Sequence, residues 1–178
     1  ARVLEIMARE RVTGLPGVPT MFATLTGLST LRDYDLSALR YITNAAAALP
    51  VKHVEALLAL FPAAQIYSMY GLTECKRVSY LPPDQLRTRP TSVGVAIPNT
   101  EIWVVDEHDR RLPPGEVGQL VVRGATVMRG YWGKPEETRR KLRPGPSGEH
   151  VLYTGDYARF DEDGYLYIVG RMDDMIKS

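Results

Sequence analysis

"LPVKHVEALLALFPAAQIYSMYGLTECK", residues 49–76, holds a helix, a strand and the exit from that strand. Pro50 opens the helix, Val51, Val54, Leu57, Leu58 and Phe61 recur on one stripe, and Pro62 stops it. "AQIYSMY" then reads as a strand that ends at Gly71. A helix of this length leading into a strand is one step of an alternating pattern, and that alternation indicates a parallel sheet layered with helices. Just past the glycine stand a hydroxyl and a carboxylate, Thr73 and Glu74.

Upstream the alternation continues. "ARVLEIMARERV" is in helical register, with Val3, Ile6, Met7 and Glu10 at helical spacings. "RVTGLPGV" reads as a short buried strand, "PTMFATLTGL" as a helix with Pro19 near its start, and "STLRDYDLSA" as a polar link. "LRYITNAA" is a second strand, ending in small residues. Residues 1–77 therefore read as an α/β segment. From Val78 the pattern changes. "TEIWVVDEHDRRLPPGEVGQLVVRG" has two β-rich runs joined through Pro-Gly, and "YARFDEDGYLYIVG" signals a hairpin around Asp163-Gly164. Residues 78–170 read as a small antiparallel β subdomain, barrel-like or curled, with "KLRPGPSGEH" as a mobile surface loop.

Composition narrows the function classes. The 178 residues are 44% hydrophobic and 24% charged, ordinary globular material, and the net charge of +1 gives no reason to expect nucleic acid or an anionic membrane. One cysteine, Cys75, excludes an internal disulfide framework and any CxxC site. This usage is compatible with a reducing cytoplasm, which is the expected location. No apolar run approaches the ~20 residues of a membrane span. His53, His108 and His150 lack ligand spacing to one another, to the cysteine or to an acid, so no zinc site is expected.

Ligands of open α/β sheets bind beyond the carboxyl ends of the strands. "YSMYGLTE" places there a ring able to stack on a base (Tyr70) and a glycine that permits close backbone approach to a phosphate (Gly71). It adds a hydroxyl (Thr73) and a hard oxygen ligand suited to Mg²⁺ (Glu74). Alone, the stretch fits a packed tyrosine, a turn glycine and a solvated glutamate better. "ITNAAAALP" ends its strand in four alanines, leaving room for a flat ring. "YTGDYARF" sets Asp156 after a Thr-Gly turn, where an acceptor-only carboxylate can take hydrogen bonds from two vicinal hydroxyls. "VGRMDDMIKS" carries Arg171, Asp173 and Asp174, which also suit a solvated turn. The aromatic pair and helix start in "GATVMRGYWGKPEET" also suit simple packing. Cys75 suits a buried structural thiol better than the wall of an acyl pocket.

Taken in order, "GVPTMFATL", "YDLSALRYITNAA", "YGLTE", "SVGVAIPN", "PPGEVGQLVVRG", "MRGYW", "KPEET", "YTGD" and "GRMDDMIKS" resemble the adenylate-forming superfamily. That superfamily includes acyl-CoA synthetases, peptide-synthetase adenylation domains and firefly luciferase, and the resemblance covers nearly the whole chain. It implies a fragment of a large N-terminal domain. By it, Tyr70 stacks on adenine beside Ala46, Ala47 and Gly71, Thr73 contacts the α-phosphate, Glu74 holds Mg²⁺, and Asp156 binds ribose hydroxyls with Arg171 beside it. Thr73 and Glu74 are the catalytic pair. Asp173 is the hinge of residues 171–178, leading to a C-terminal domain expected after Ser178. The phosphate loop is expected before Ala1, so the fragment alone should not turn over. The implied activity is that of an AMP-forming acyl-CoA ligase of fatty acid metabolism, using ATP, Mg²⁺ and coenzyme A on a small-molecule carboxylate. An adenylation domain that loads a carrier protein, and a truncated module that binds nucleotide without catalysis, remain open alternatives. One segment departs from the family. Ala45–Ala48 stand where Gly-Gly-Ala or Gly-Ala-Ala is usual, which loses glycine's freedom at positive φ.

Overall fold

The structure, a computed structural model, describes residues 2–45, 47–145 and 147–172. The chain divides into two compact units, Ala1–Met69 with Leu81–Thr91, and Tyr70–Tyr80 with Ser92–Ser178.

The first unit alternates as the sequence predicts: α1 (Arg2–Arg9), β1 (Gly14–Gly17), α2 (Pro19–Thr26), β2 (Tyr41–Asn44), α3 (Val51–Leu60) and β3 (Gln65–Tyr70), whose last residue begins the second unit. The strands pair in parallel in the order β1-β2-β3, with Leu15 opposite Ile42 and Ile42 opposite Ile66. Ile42 and Ile66 are buried, as are Val54, Leu57 and Phe61 from the α3 stripe and the segment after it. Val51, at the start of that stripe, is exposed. In α1 the buried pair is Leu4 and Met7, three residues apart, whereas Val3 and Ile6 face outward. The polar link contains a 3-10 turn, Ser29–Asp33, that buries Leu31.

The second unit is antiparallel. A short pair, β4 (Ser79–Tyr80) and β5 (Val95–Ala96), accompanies a five-stranded sheet. That sheet comprises β6 (Thr100–Val105), β7 (Gly118–Gly124), β8 (Leu142–Pro144), β9 (His150–Phe160) and β10 (Leu166–Arg171), with α4 (Pro135–Lys141) before β8. The order is β10-β9-β7-β6, with β8 also on β9. Leu142–Pro144 lies within the segment expected to be a surface loop; a partner strand is available there because β9 runs on past β10, leaving His150–Leu152 open on that edge. One face of the sheet buries Val104, Leu120, Val122, Leu152, Ala158 and Leu166. The other buries Val105, Val121 and Val151 with Trp103 and Tyr153, and the guanidinium groups of Arg111 and Arg143 lie 4.3 and 3.7 Å from the centroids of those rings. Cover on both faces explains why "LVV" in β7 is a continuous apolar run and not an alternating one. The hairpin between β9 and β10 turns at Gly164, φ +81°, and the Asp161 carboxylate accepts the N–H groups of Asp163 and Tyr165.

The central strand β9 is irregular where it matters. Against β7, Gln119 pairs with Tyr157 but Val121 pairs with Tyr153, so two residues of β7 face four of β9. The excess is a bulge over Thr154–Asp156. Bulges re-aim side chains and break the ladder locally. Here Thr154 Oγ1 donates to the Leu120 carbonyl at 2.9 Å and accepts the Asp156 N–H at 3.1 Å, replacing the lost ladder bonds.

Candidate nucleotide site

The loop that leaves β3 is shaped by its own apolar residues. Cys75 and Val78 are buried in the core of the second unit, and Tyr70 and Leu72 pack against it, which leaves Thr73 exposed and Glu74 half-buried. The Val78 N–H donates to the Tyr70 carbonyl at 2.9 Å and closes the loop. Gly71 is required by the chain itself: a Cβ there would stand 2.0 Å from the Lys76 carbonyl oxygen. Burial pushes the Cys75 thiol up to about 12, as expected of a structural thiol and not a nucleophile.

Asp156 is carried by the β9 bulge and is only 4% exposed. The Tyr70 hydroxyl donates to its Oδ2 at 2.5 Å. The phenol's pKa is raised, first by burial and next by this hydrogen bond to Asp156. Arg171 sits opposite Asp156 in the β9–β10 register, with Nε 3.1 Å from Oδ1. The contact is an ion pair off the hydrogen-bonding direction, and Oδ1 has no hydrogen bond within the described residues. A buried carboxylate oxygen without a hydrogen bond is a costly arrangement that a bound hydroxyl would satisfy.

Glu74 is held from two sides by the segment 128–131. The Met128 N–H donates to its carbonyl at 2.7 Å, and the Tyr131 hydroxyl donates to Oε1 of its carboxylate. Tyr131 is a site neighbour that sequence reading passed over. Its signal was the Tyr-Trp pair beside a helix start, which looks the same as packing. The Tyr131 N–H in turn donates to Thr138 Oγ1 at 2.9 Å, fixing the tyrosine to α4. Among the described residues no three His, Cys, Asp or Glu side chains cluster around a metal position. A lone carboxylate fits Mg²⁺ that is shared with substrate phosphates and water, and does not fit a cation caged by protein.

The structure thus gathers Tyr70, Gly71, Thr73, Glu74, Asp156 and Arg171 into the second unit, with direct contacts from Asp156 to Tyr70 and to Arg171. Thr73 is exposed. Ala47 belongs to the first unit, where its carbonyl accepts the side-chain N–H of the buried Asn44 at 2.9 Å. That asparagine fixes the path after β2 and was not singled out from sequence. Ala46 and Asp173 lie outside the described residues.

A family model for AMP-binding enzymes matches residues 1–132. The chain belongs to the AMP-binding enzyme family. It is 36% identical to the acyl-CoA ligase sidI of Aspergillus fumigatus, over 98% of this chain and 30% of that protein. It is 35% identical to tyrocidine synthase 2 of Brevibacillus parabrevis, over 90% of this chain and 4% of that protein. The crystal structure of VinN matches with a TM-score of 0.83 at 44% identity, over 94% of this chain and 42% of that one. The chain spans less than a third of the length of these two curated relatives.

Proposed function

We propose that the chain is the nucleotide-binding part of an ATP-dependent, AMP-forming acid–thiol ligase of the cytoplasm, one that activates a carboxylic acid and transfers it to coenzyme A. The observation that carries the reading is the buried Asp156 carboxylate, tied to Tyr70 through one oxygen and lacking, among the described residues, a hydrogen bond on the other. Oδ1 would accept the ribose hydroxyls, with the Arg171 guanidinium beside it. The Tyr70 ring, its hydroxyl anchored on Asp156, would offer its face to adenine. The Thr73 hydroxyl would meet the α-phosphate. Glu74, its Oε1 held by Tyr131, would present its remaining lone pairs to Mg²⁺. The metal supplies neutralisation of phosphate charge.

In the reaction, a substrate carboxylate oxygen attacks the α-phosphorus of ATP and pyrophosphate leaves. A thiolate then attacks the acyl carbonyl, and AMP leaves. The residues of this chain bind and orient; positioning of this kind contributes through effective concentration. Triphosphate grip and the second half-reaction belong to other parts of the longer protein, with Asp173 as the hinge. The chain alone is expected to be inactive.

Calorimetry with adenosine, AMP and Mg·ATP tests the reading. The chain should bind AMP weakly and gain little from the β,γ-phosphates; clearly tighter binding of ATP would place the triphosphate grip inside it. A second reading, adenylation for a carrier protein, is favoured by the likeness to tyrocidine synthase 2. Acyl transfer by the full-length protein to free coenzyme A, compared with transfer to a carrier protein, separates the two.

A further inference from the structure

The bulge that aims Asp156 takes backbone carbonyls out of the ladder, and each then needs a partner from elsewhere. The Gly155 carbonyl accepts the Met172 N–H at 2.9 Å. The Thr154 carbonyl accepts from the ammonium of Lys141, 3.2 Å away in a partly buried contact. Lys141 is the last residue of α4, so a lysine on a short helix secures the carbonyl two residues before the candidate ribose acceptor. Gly155 makes the space. A Cβ there would stand 2.8 Å from Lys141 Nζ, and its φ of +79° is one that other residues rarely adopt. The glycine between Thr154 and Asp156 thus both turns the chain and admits the ammonium.

We propose that Lys141 is a positioning residue for nucleotide binding: by holding the Thr154 carbonyl it fixes the bulge, and through the bulge the direction of the Asp156 carboxylate. This rests on the reading of Asp156 as the ribose acceptor. Two hydrogen bonds link the lysine to that carboxylate's backbone, Lys141 Nζ to Thr154 O and the Asp156 N–H to Thr154 Oγ1. Loss of the ammonium leaves a partly buried carbonyl without its donor. The bulge then relaxes toward water or toward a regular ladder, and either movement turns Asp156 away from its present direction. Lysine suits the task because an ammonium brings a charged donor on a flexible stem to the carbonyl.

The test measures binding of AMP and of 2′,3′-dideoxy-AMP, without metal or turnover, to the full-length protein and to its Lys141→Met, Lys141→Arg and Asp156→Ala variants. Lys141→Met should weaken AMP by about 3- to 10-fold, a fraction of what a charge-assisted hydrogen bond can contribute, and leave the dideoxy analogue unchanged. Lys141→Arg, which can still reach a carbonyl, should restore most of the preference for AMP. If Lys141→Met weakens both ligands equally, or neither, the positioning role is overturned. Asp156→Ala separates the two levels. If that variant loses the preference for AMP while Lys141→Met keeps it, the lysine's role fails and the ribose reading stands. If Asp156→Ala keeps the preference, the ribose reading fails and the inference goes with it.

Discussion

The Tyr70 hydroxyl donates to Oδ2 of Asp156 at 2.5 Å, joining the end of β3 to the bulge of β9 across 86 residues of sequence. The phenol is neutral and half-buried, and it gives the carboxylate its one side-chain hydrogen bond among the described residues. The two groups expected to grip a base and a ribose therefore hold each other in place. Tyr70→Phe keeps the ring and removes the donor, leaving both oxygens of a buried carboxylate without a side-chain donor. Stability should fall by about 1–3 kcal/mol, the scale for a buried acceptor left unsatisfied. Denaturant unfolding of Tyr70→Phe, Asp156→Asn and the double variant would measure the coupling; additive effects would argue against the bond.

Tyr70 and Cys75 both have raised pKa values, each chiefly through burial. The neutral forms are favoured in the folded state, so their contribution to stability is full below the unfolded values. It is lost as pH rises, for Cys75 from about 9 toward about 12, and for Tyr70 from about 10 upward. Stability should therefore fall with rising alkalinity, by less in Cys75→Ala than in the unaltered chain. The native thiol should also resist alkylation near pH 8 and react only in denaturant. Rapid labelling of the folded protein would contradict its burial.

Gly71→Ala should be severely destabilising, by more than the roughly 1 kcal/mol typical of a point substitution. Its Cβ would meet the Lys76 carbonyl oxygen at 2.0 Å, and a backbone atom cannot swing aside as a flexible side chain can. A thermal melt checks this. Near-native stability would show that the loop from Tyr70 to Val78 can open without cost.

Glu74→Gln keeps the acceptor for Tyr131 and removes the negative charge. In the full-length protein it should raise the Mg²⁺ concentration needed for pyrophosphate release and change AMP binding little. A matching loss of metal-free AMP affinity would move Glu74 from the cation to the nucleotide.

Asp156→Ala in the full-length protein should cost about 1.5–3 kcal/mol of AMP binding, as expected for a charge-assisted hydrogen bond. Titration calorimetry against AMP and its dideoxy analogue reads this directly. A change of less than a few tenths of a kcal/mol for AMP would remove Asp156 from the ribose.

Local patterning was enough to place the helices and strands of the first unit, because Pro50, Pro62 and Gly71 punctuate them and the stripe of α3 has helical period. The same patterning indicated antiparallel pairing in the second unit through Asp163-Gly164. Which face of α1 is buried was not decided locally. Val3, Leu4, Ile6 and Met7 are all apolar, and only the neighbours packed against the helix select Leu4 and Met7. Motif order in the sequence named Tyr70, Glu74 and Asp156, since each lies in a short recognisable stretch. What the sequence left open was how they are held. The Tyr70–Asp156 bond, the grip of Tyr131 on Glu74 and the Lys141 ammonium on Thr154 all join residues distant in sequence or on separate elements. Such contacts depend on strand register, and a bulge of two extra residues in β9 changes that register without a clear sequence signature. Periodicity reports which side of its own element a residue occupies, whereas a hydrogen bond between elements depends on where the other element lies.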